Sequence, residues 1–367
     1  MPLVVVGRCR FTFALPLVAA IAFANVSAGA PPEPLTLTGH TGWVGGVAFS
    51  PDGGTLASAS SDVTVKFWEV ATGKERAALE AHGDAVTSVA FAKDGKSFAT
   101  ASFDGTVKVW NAENRRLVHT FRGHRGAVLT VAFDPNGQFL ASGGIDGTVR
   151  IWNLESGKEW NGTTNHKSWV NALAYGPGGH RLATVSSDNE VWFRDNWGKE
   201  WMIVRPKVAE VRSVAYSPNG KLLAAGTRYG VTKVWDDNGD EVASLTGKHT
   251  GDVWGVCFSP DGKTLATADG DWNKPSDIVL WDTTTWKERA RLKHTNEVLC
   301  IAFHPKKPIL AAGAWDKTVK VWDLTEEKTP PQPLPQRERG FQTPPSFLGK
   351  GVGGLGSSNA FVPKADR

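Results

Sequence analysis

The feature that most restricts what this chain can fold into is a period. His40, His82, His124, His166, Lys207, His249 and His294 follow one another at intervals of 42, 42, 42, 41, 42 and 45 residues. Nine residues after each stands an aromatic (Phe49, Phe91, Phe133, Tyr175, Tyr216, Phe258, Phe303), and twenty-two after it an aspartate in all copies but the fifth, which has Tyr229. Self-similarity at this length means one supersecondary unit made seven times, each burying its apolar face against the next.

Every unit reads as four short strands. In the second copy AVTSVAF, SFATAS, TVKVW and RRLVHTF are separated by the turn signals KDGK and FDG and by a short polar link. Asp52-Gly53, Asp94-Gly95, Asn136-Gly137, Asn219-Gly220 and Asp261-Gly262 supply residues that tolerate the positive φ of tight hairpins. Strands of Val, Ala, Ser and Phe with few charges on either face predict sheets covered on both sides, so the expected fold is all-β, a seven-bladed β-propeller of four-stranded antiparallel blades. The third strand of the seventh copy ends at Trp322-Asp323-Leu324 with no fourth to follow. Leu35–Leu37, ahead of the first copy, is expected to fill that gap and close the ring without free edges.

The pattern resembles the WD40 repeat family over residues 35–324. Gly39-His40 and Gly123-His124, with Trp-Asp or Trp-Asn at 110–111, 152–153, 235–236, 281–282 and 322–323, are that family's signatures. The resemblance implies a buried tetrad in each blade, made of a histidine, a hydroxyl, an aspartate and a tryptophan. It assigns His40, Ser58, Asp62 and Trp68; His82, Thr100, Asp104 and Trp110; His124, Ser142, Asp146 and Trp152; and His249, Thr267, Asp271 and Trp281. The residue types suit one another, because a carboxylate accepts, a hydroxyl does both and an indole N–H only donates. Departures mark poorly braced blades: Arg194 replaces tryptophan in the fourth copy, Ala312 replaces the hydroxyl in the seventh, and the fifth has Lys207, Ala225 and Tyr229.

The family resemblance further implies that partners are met on one face, through residues three and five after the histidine and one before the aspartate. From these positions, and from Trp272 in the long sixth-copy loop DGDWNKPSD, the expected partner-binding residues are Trp43, Phe103, Leu129, Ile145, Trp169, Arg212, Arg228, Trp254, Trp272, Leu299 and Trp315. Clustered tryptophans beside arginine bury much area at small entropic cost, as interface anchors do. The same loop places Asp269, Asp271 and Asn273 like the start of a calcium loop. Lys274 stands where glycine is needed and Leu280 where a bidentate glutamate belongs, so no metal is expected.

Outside the repeats the composition changes. Arg8 and Arg10 precede an uncharged stretch, 11–26, and the small residues of 26–30, a signal-peptide pattern with cleavage after Ala28 or Ala30. The domain plan is therefore signal 1–30, propeller 31–324 and a Pro/Gly-rich disordered tail 325–367. The expected location is periplasmic or extracellular, with no stable membrane span once the signal is removed. Asn161 and Thr163 form a glycosylation acceptor, relevant only to an exported chain. Cys257 and Cys300, in the first strands of the sixth and seventh copies, read as buried small residues rather than a disulfide.

The chain carries a net charge of +4, of which the leader and the tail each contribute two, leaving a near-neutral ring. That argues against bulk nucleic-acid binding, which rests on phosphate neutralisation. The recurring histidines serve the fold, and no hydrolase, zinc or cofactor motif accompanies them. The expected function is a non-catalytic platform for a protein or peptide, with no cofactor. Two alternatives are an envelope glycan stacked on the tryptophans, and an enzyme built from the carboxylates Glu210, Asp252 and Glu297 if these converge.

Overall fold

The computed structural model describes residues 33–160, 164–195, 199–207, 210–272 and 274–325. The signal segment 1–30, the acceptor at Asn161 and Thr163 and the tail beyond Thr325 lie outside them. The described residues form seven antiparallel sheets and no α-helix.

Blades one to six each run outward in chain order from an inner strand: Val44–Phe49, Val86–Phe91, Val128–Phe133, Val170–Tyr175, Val211–Tyr216 and Asp252–Phe258. The outer edge of blade three is split into Lys158–Glu159 and Thr164–Asn165, both paired to Thr148–Asn153. Blade seven has inner strand Val298–Phe303 and takes its outer strand from the other end of the ring. Leu35, Thr36 and Leu37 pair with Val321, Lys320 and Val319. The inner strands neighbour one another in order, and Val298–Phe303 returns to Val44–Phe49, completing the circle.

The core lies between blades, and for this reason no single repeat can bury it alone. Ala99, Ala101, Val107, Val109 and Phe121 of blade two pack on Val128, Val131, Leu140 and Trp152 of blade three, with Phe121 and Trp152 stacked at 4.8 Å. A corresponding cluster fills each of the other six gaps, the last joining Ala311 and Val319 to Val44, Leu56 and Trp68. Small residues in the second strands, such as Ala57, Ala59, Ala99 and Ala101, are wholly buried because both faces meet a neighbouring blade. The turn glycines Gly53, Gly95, Gly137, Gly220 and Gly262 have φ between +71 and +83°, a region that costs any residue with a Cβ. Cys257 and Cys300 are unpaired thiols, and burial raises both, Cys300 to about 12.

Candidate functional site

Hydrogen-bonded histidines fix the rim of one face. His40 Nδ1 lies 2.8 Å from Asp62 Oδ2, His40 Nε2 lies 2.7 Å from Ser58 Oγ, and Trp68 Nε1 donates to the same hydroxyl at 2.8 Å. A carboxylate only accepts, so the imidazole proton sits on Nδ1, and Ser58 donates to Nε2 while accepting from the indole. The His–Asp contacts of blades two and three are 2.9 and 3.1 Å, with Thr100 and Ser142 as hubs. Burial lowers the proton affinity of His40, His82 and His124 more than their carboxylates raise it. Burial would raise Asp62, but hydrogen bonds from the Thr64 hydroxyl, the Thr41 N–H and His40 outweigh it and bring the carboxyl to about 2.

Blade six requires a correction. Asp271 does not join His249; it pairs with Lys274 on the exposed loop. Asp269 takes the place, with Oδ2 3.5 Å from His249 Nδ1, accepting from Thr250 N–H at 3.1 Å and from Asp277 N–H at 3.0 Å. The reason is register. Here the first hairpin runs on to pair Asp252 with Gly270, so the aspartate two positions earlier, still within the strand, faces the histidine. At 3.5 Å the contact is an ion-pair distance, and Nδ1 makes no hydrogen bond of good geometry.

The incomplete blades show what each missing partner leaves behind. In blade four Arg194 fills the tryptophan position and donates through Nη2 to Thr184 Oγ1 at 3.3 Å, while its buried Nε and Nη1 have no partner. Burial lowers its guanidinium to about 10. In blade seven, where Ala312 supplies no hydroxyl, buried His294 Nε2 is unsatisfied and Asp316 stands 3.7 Å from Nδ1.

Above the tetrads, each inner strand carries a β-bulge at the fifth residue after the histidine position. The register shifts fall at Gly45, Thr87, Leu129, Asn171, Arg212, Trp254 and Leu299. A bulge re-aims its side chain, and all seven residues line one central cavity of about 540 Å³. At its mouth a row of rings crosses four blades. Trp43 stacks on Trp315 with centroids 6.0 Å apart and planes 6° apart; Phe103 flanks Trp43 at 6.1 Å, and Trp272 flanks Trp315 at 5.1 Å.

Eight of the eleven sequence-derived candidates thus line the cavity: Trp43, Phe103, Leu129, Arg212, Trp254, Trp272, Leu299 and Trp315. Ile145, Trp169 and Arg228 do not. The first two stand exposed on blades three and four, and Arg228 pairs with Glu210 at 2.8 Å and lies over the Tyr229 ring. Tyr229, which stands at the aspartate position of the fifth copy, is exposed and held at φ +66° outside the cavity lining. The carboxylates Glu210 and Asp252 are bound to Arg212, at 2.9 and 3.2 Å, while Glu297 has no such ion pair among the described residues and lines the cavity within electrostatic reach of Asp252. Among the described residues no group of side chains is arranged to hold a metal ion, and no helix is long and apolar enough to cross a membrane.

The WD domain, G-beta repeat family model matches residues 33–69, 73–111 and 286–323, and that of the IFT122 first beta-propeller matches residues 109–276. Among curated proteins, a Poly(A)+ RNA export protein of Schizosaccharomyces pombe is 28% identical over 133 residues, 35% of this chain and 37% of its own length. The WD repeat-containing protein VIP3 of Arabidopsis thaliana is 30% identical over 132 residues, 32% of this chain and 40% of its own. Protein HIR1 of Candida albicans is 26% identical over 129 residues, 30% and 14% respectively. The chain therefore spans between 14% and 40% of the length of these relatives. These likenesses overturn the expected periplasmic or extracellular location. The similarity is to proteins such as one of RNA export, which point away from the cell exterior, and the leader-like composition of 1–30 does not outweigh them. The repeat matches and the observed ring agree: the chain is a seven-bladed β-propeller built of WD40 repeats.

Proposed function

We propose that this propeller is a non-catalytic interaction platform that docks a protein or peptide across the bulge-lined cavity mouth. The observation that carries the reading is the row Phe103, Trp43, Trp315 and Trp272, which presents adjoining rings from four blades at one opening. Trp272 is 68% and Phe103 43% exposed, an arrangement a chain without an occupant has no packing reason to keep. Against the enzyme alternative, Glu210 and Asp252 are both engaged by Arg212. The glycan alternative loses the envelope location to which it was tied. One relative is named a retinoblastoma-binding-like protein E, which accords with a protein partner.

The test is site-directed photo-cross-linking in lysate of the source cells, with the full chain carrying a photoreactive residue at position 103 or, on the opposite turns, at position 136. A protein adduct at 103 that is absent at 136 and lost on Trp43→Ala with Trp315→Ala is the expected result. Adducts of equal yield at both positions, or adducts indifferent to the tryptophan changes, would place binding elsewhere on the ring.

A further inference from the structure

The cavity mouth already holds one cation in a setting of rings and acids. The Arg212 guanidinium lies 4.8 Å from the Trp254 ring centroid, between Glu210 Oε2 at 2.9 Å and Asp252 Oδ2 at 3.2 Å. This is an aromatic face and a carboxylate pair serving a positive charge within the fold.

A few residues round the same opening, the same two elements recur without the charge. Glu297 is 7% exposed and lines the cavity. Its backbone carbonyl accepts from Trp315 N–H at 2.9 Å, which sets it beside the Trp43–Trp315 stack. Among the described residues no lysine, arginine or histidine pairs with its carboxylate. Lys274, on the neighbouring loop, is engaged by Asp271, and Arg212 by Glu210 and Asp252. The buried indole N–H of Trp254 is directed toward Glu297 but makes no hydrogen bond of good geometry, so it does not take the place of a counter-charge. Room for the side chain is kept by Gly270, where an added Cβ would come 2.2 Å from Glu297 Cγ. A buried carboxylate without a counter-charge is costly, and the fold keeps this one in the lining of a cavity that Trp43, Trp254 and Trp315 also line.

We infer that the Glu297 corner of the mouth receives a cationic side chain, a lysine or arginine presented by an extended segment of the docked partner, with Trp315 and Trp43 as its aromatic wall. The inference rests on the reading of this face as a docking face and names the chemistry it selects. Burial, and after it the negative charges of Asp252, Asp271 and Asp269, push the Glu297 carboxyl up, so an arriving cation relieves an existing electrostatic strain.

The test uses blocked peptides of sequence Gly-Ala-Lys-Ala-Gly, with the lysine kept or replaced by arginine, acetyl-lysine or norleucine. They are titrated into the full chain and followed by tryptophan emission and calorimetry. The expected result is that the lysine and arginine peptides bind at least about tenfold more tightly than the two neutral ones. Glu297→Gln should erase most of that difference while leaving the neutral peptides unchanged, and Leu117→Ala on the outer strand of blade two should change nothing. Equal binding of norleucine and lysine, unaltered preference in Glu297→Gln, or no binding of the lysine peptide at about 1 mM overturns the assignment. Should Glu297→Gln not fold, the peptide series on the native chain decides alone. A cross-link at position 103 that survives failure of the charge preference keeps the docking face and removes only the cation, whereas loss of both removes the face.

Discussion

Nδ1 of His249 faces Oδ2 of Asp269 at 3.5 Å, while Asp271, two residues further along, turns outward to Lys274. Asp269→Ala leaves the Thr250 and Asp277 N–H groups without acceptors and is expected to cost about 1 to 3 kcal/mol. Asp271→Ala removes an exposed pair and is expected to cost under about 1 kcal/mol. Parallel denaturant melts check this. A larger loss from Asp271→Ala would restore the spacing-based assignment.

Blade seven lacks a hydroxyl that its histidine is placed to use. Ala312→Ser puts an acceptor and donor beside His294 Nε2, where Ser58, Thr100 and Ser142 stand in blades one to three. A gain of about 0.5 to 1.5 kcal/mol is expected, read as a raised melting temperature. No change, or a decrease, would show that the site has no room to relax around the added oxygen.

Val63 sits at φ +64° in the turn before the third strand of blade one, where blades two and three have Gly105 and Gly147 at +78 and +75°. A β-branched residue in that region is strained, so Val63→Gly is expected to stabilise the chain by about 1 kcal/mol despite the added freedom of its unfolded state. Thermal unfolding of this single variant is sufficient, and a lowered midpoint would mean that the valine side chain earns more in packing than it loses in backbone strain.

Acid should weaken the ring over two separate pH ranges. His40, His82, His124 and His166 all bind a proton less well when folded, chiefly through burial, than at the ordinary 6.5. The unfolded chain therefore takes up protons first, and stability present above pH 6.5 is lost as pH falls below it toward the folded values. Asp62 and Asp104, held at about 2 against an ordinary 3.8, act in the same direction lower down, their contribution being lost between those two values. Each tenfold difference in proton affinity is worth about 1.4 kcal/mol, so four histidines make the first loss visible in melts run from about pH 8 downward. A melting temperature that rises between pH 6.5 and 5 would contradict the argument.

Most of the architecture was legible because the residues that repeat are those whose chemistry the fold reuses: an imidazole, a hydroxyl and an indole at fixed separation in strands of constant length. Leu35–Leu37 was legible as the closing strand because a seventh copy ending at Leu324 lacks a partner for Val319–Asp323. Asp269 was not, because counting assumes constant strand length and the sixth hairpin is longer. The bulges at Gly45 and its six counterparts leave no mark on an alternating pattern, so the sequence placed those residues on one face without showing that they converge. Trp169 and Trp43 occupy the same repeat position, yet among the described residues only Trp43 of the two has a ring from a neighbouring blade, Trp315, to stack on. What separates them is a neighbour about 270 residues away in the chain.

The pairing of Leu35–Leu37 with Val319–Val321 also sets a timetable. The first strand of the ring to leave a ribosome is the last to find its place, since some 280 residues must be made before its partner exists. At ordinary rates of synthesis that interval is about fifteen seconds to a minute, during which the growing arc has an unpaired strand at each end. For a chain of this kind the hazardous period falls before folding is complete, when a second nascent copy can offer the missing edge.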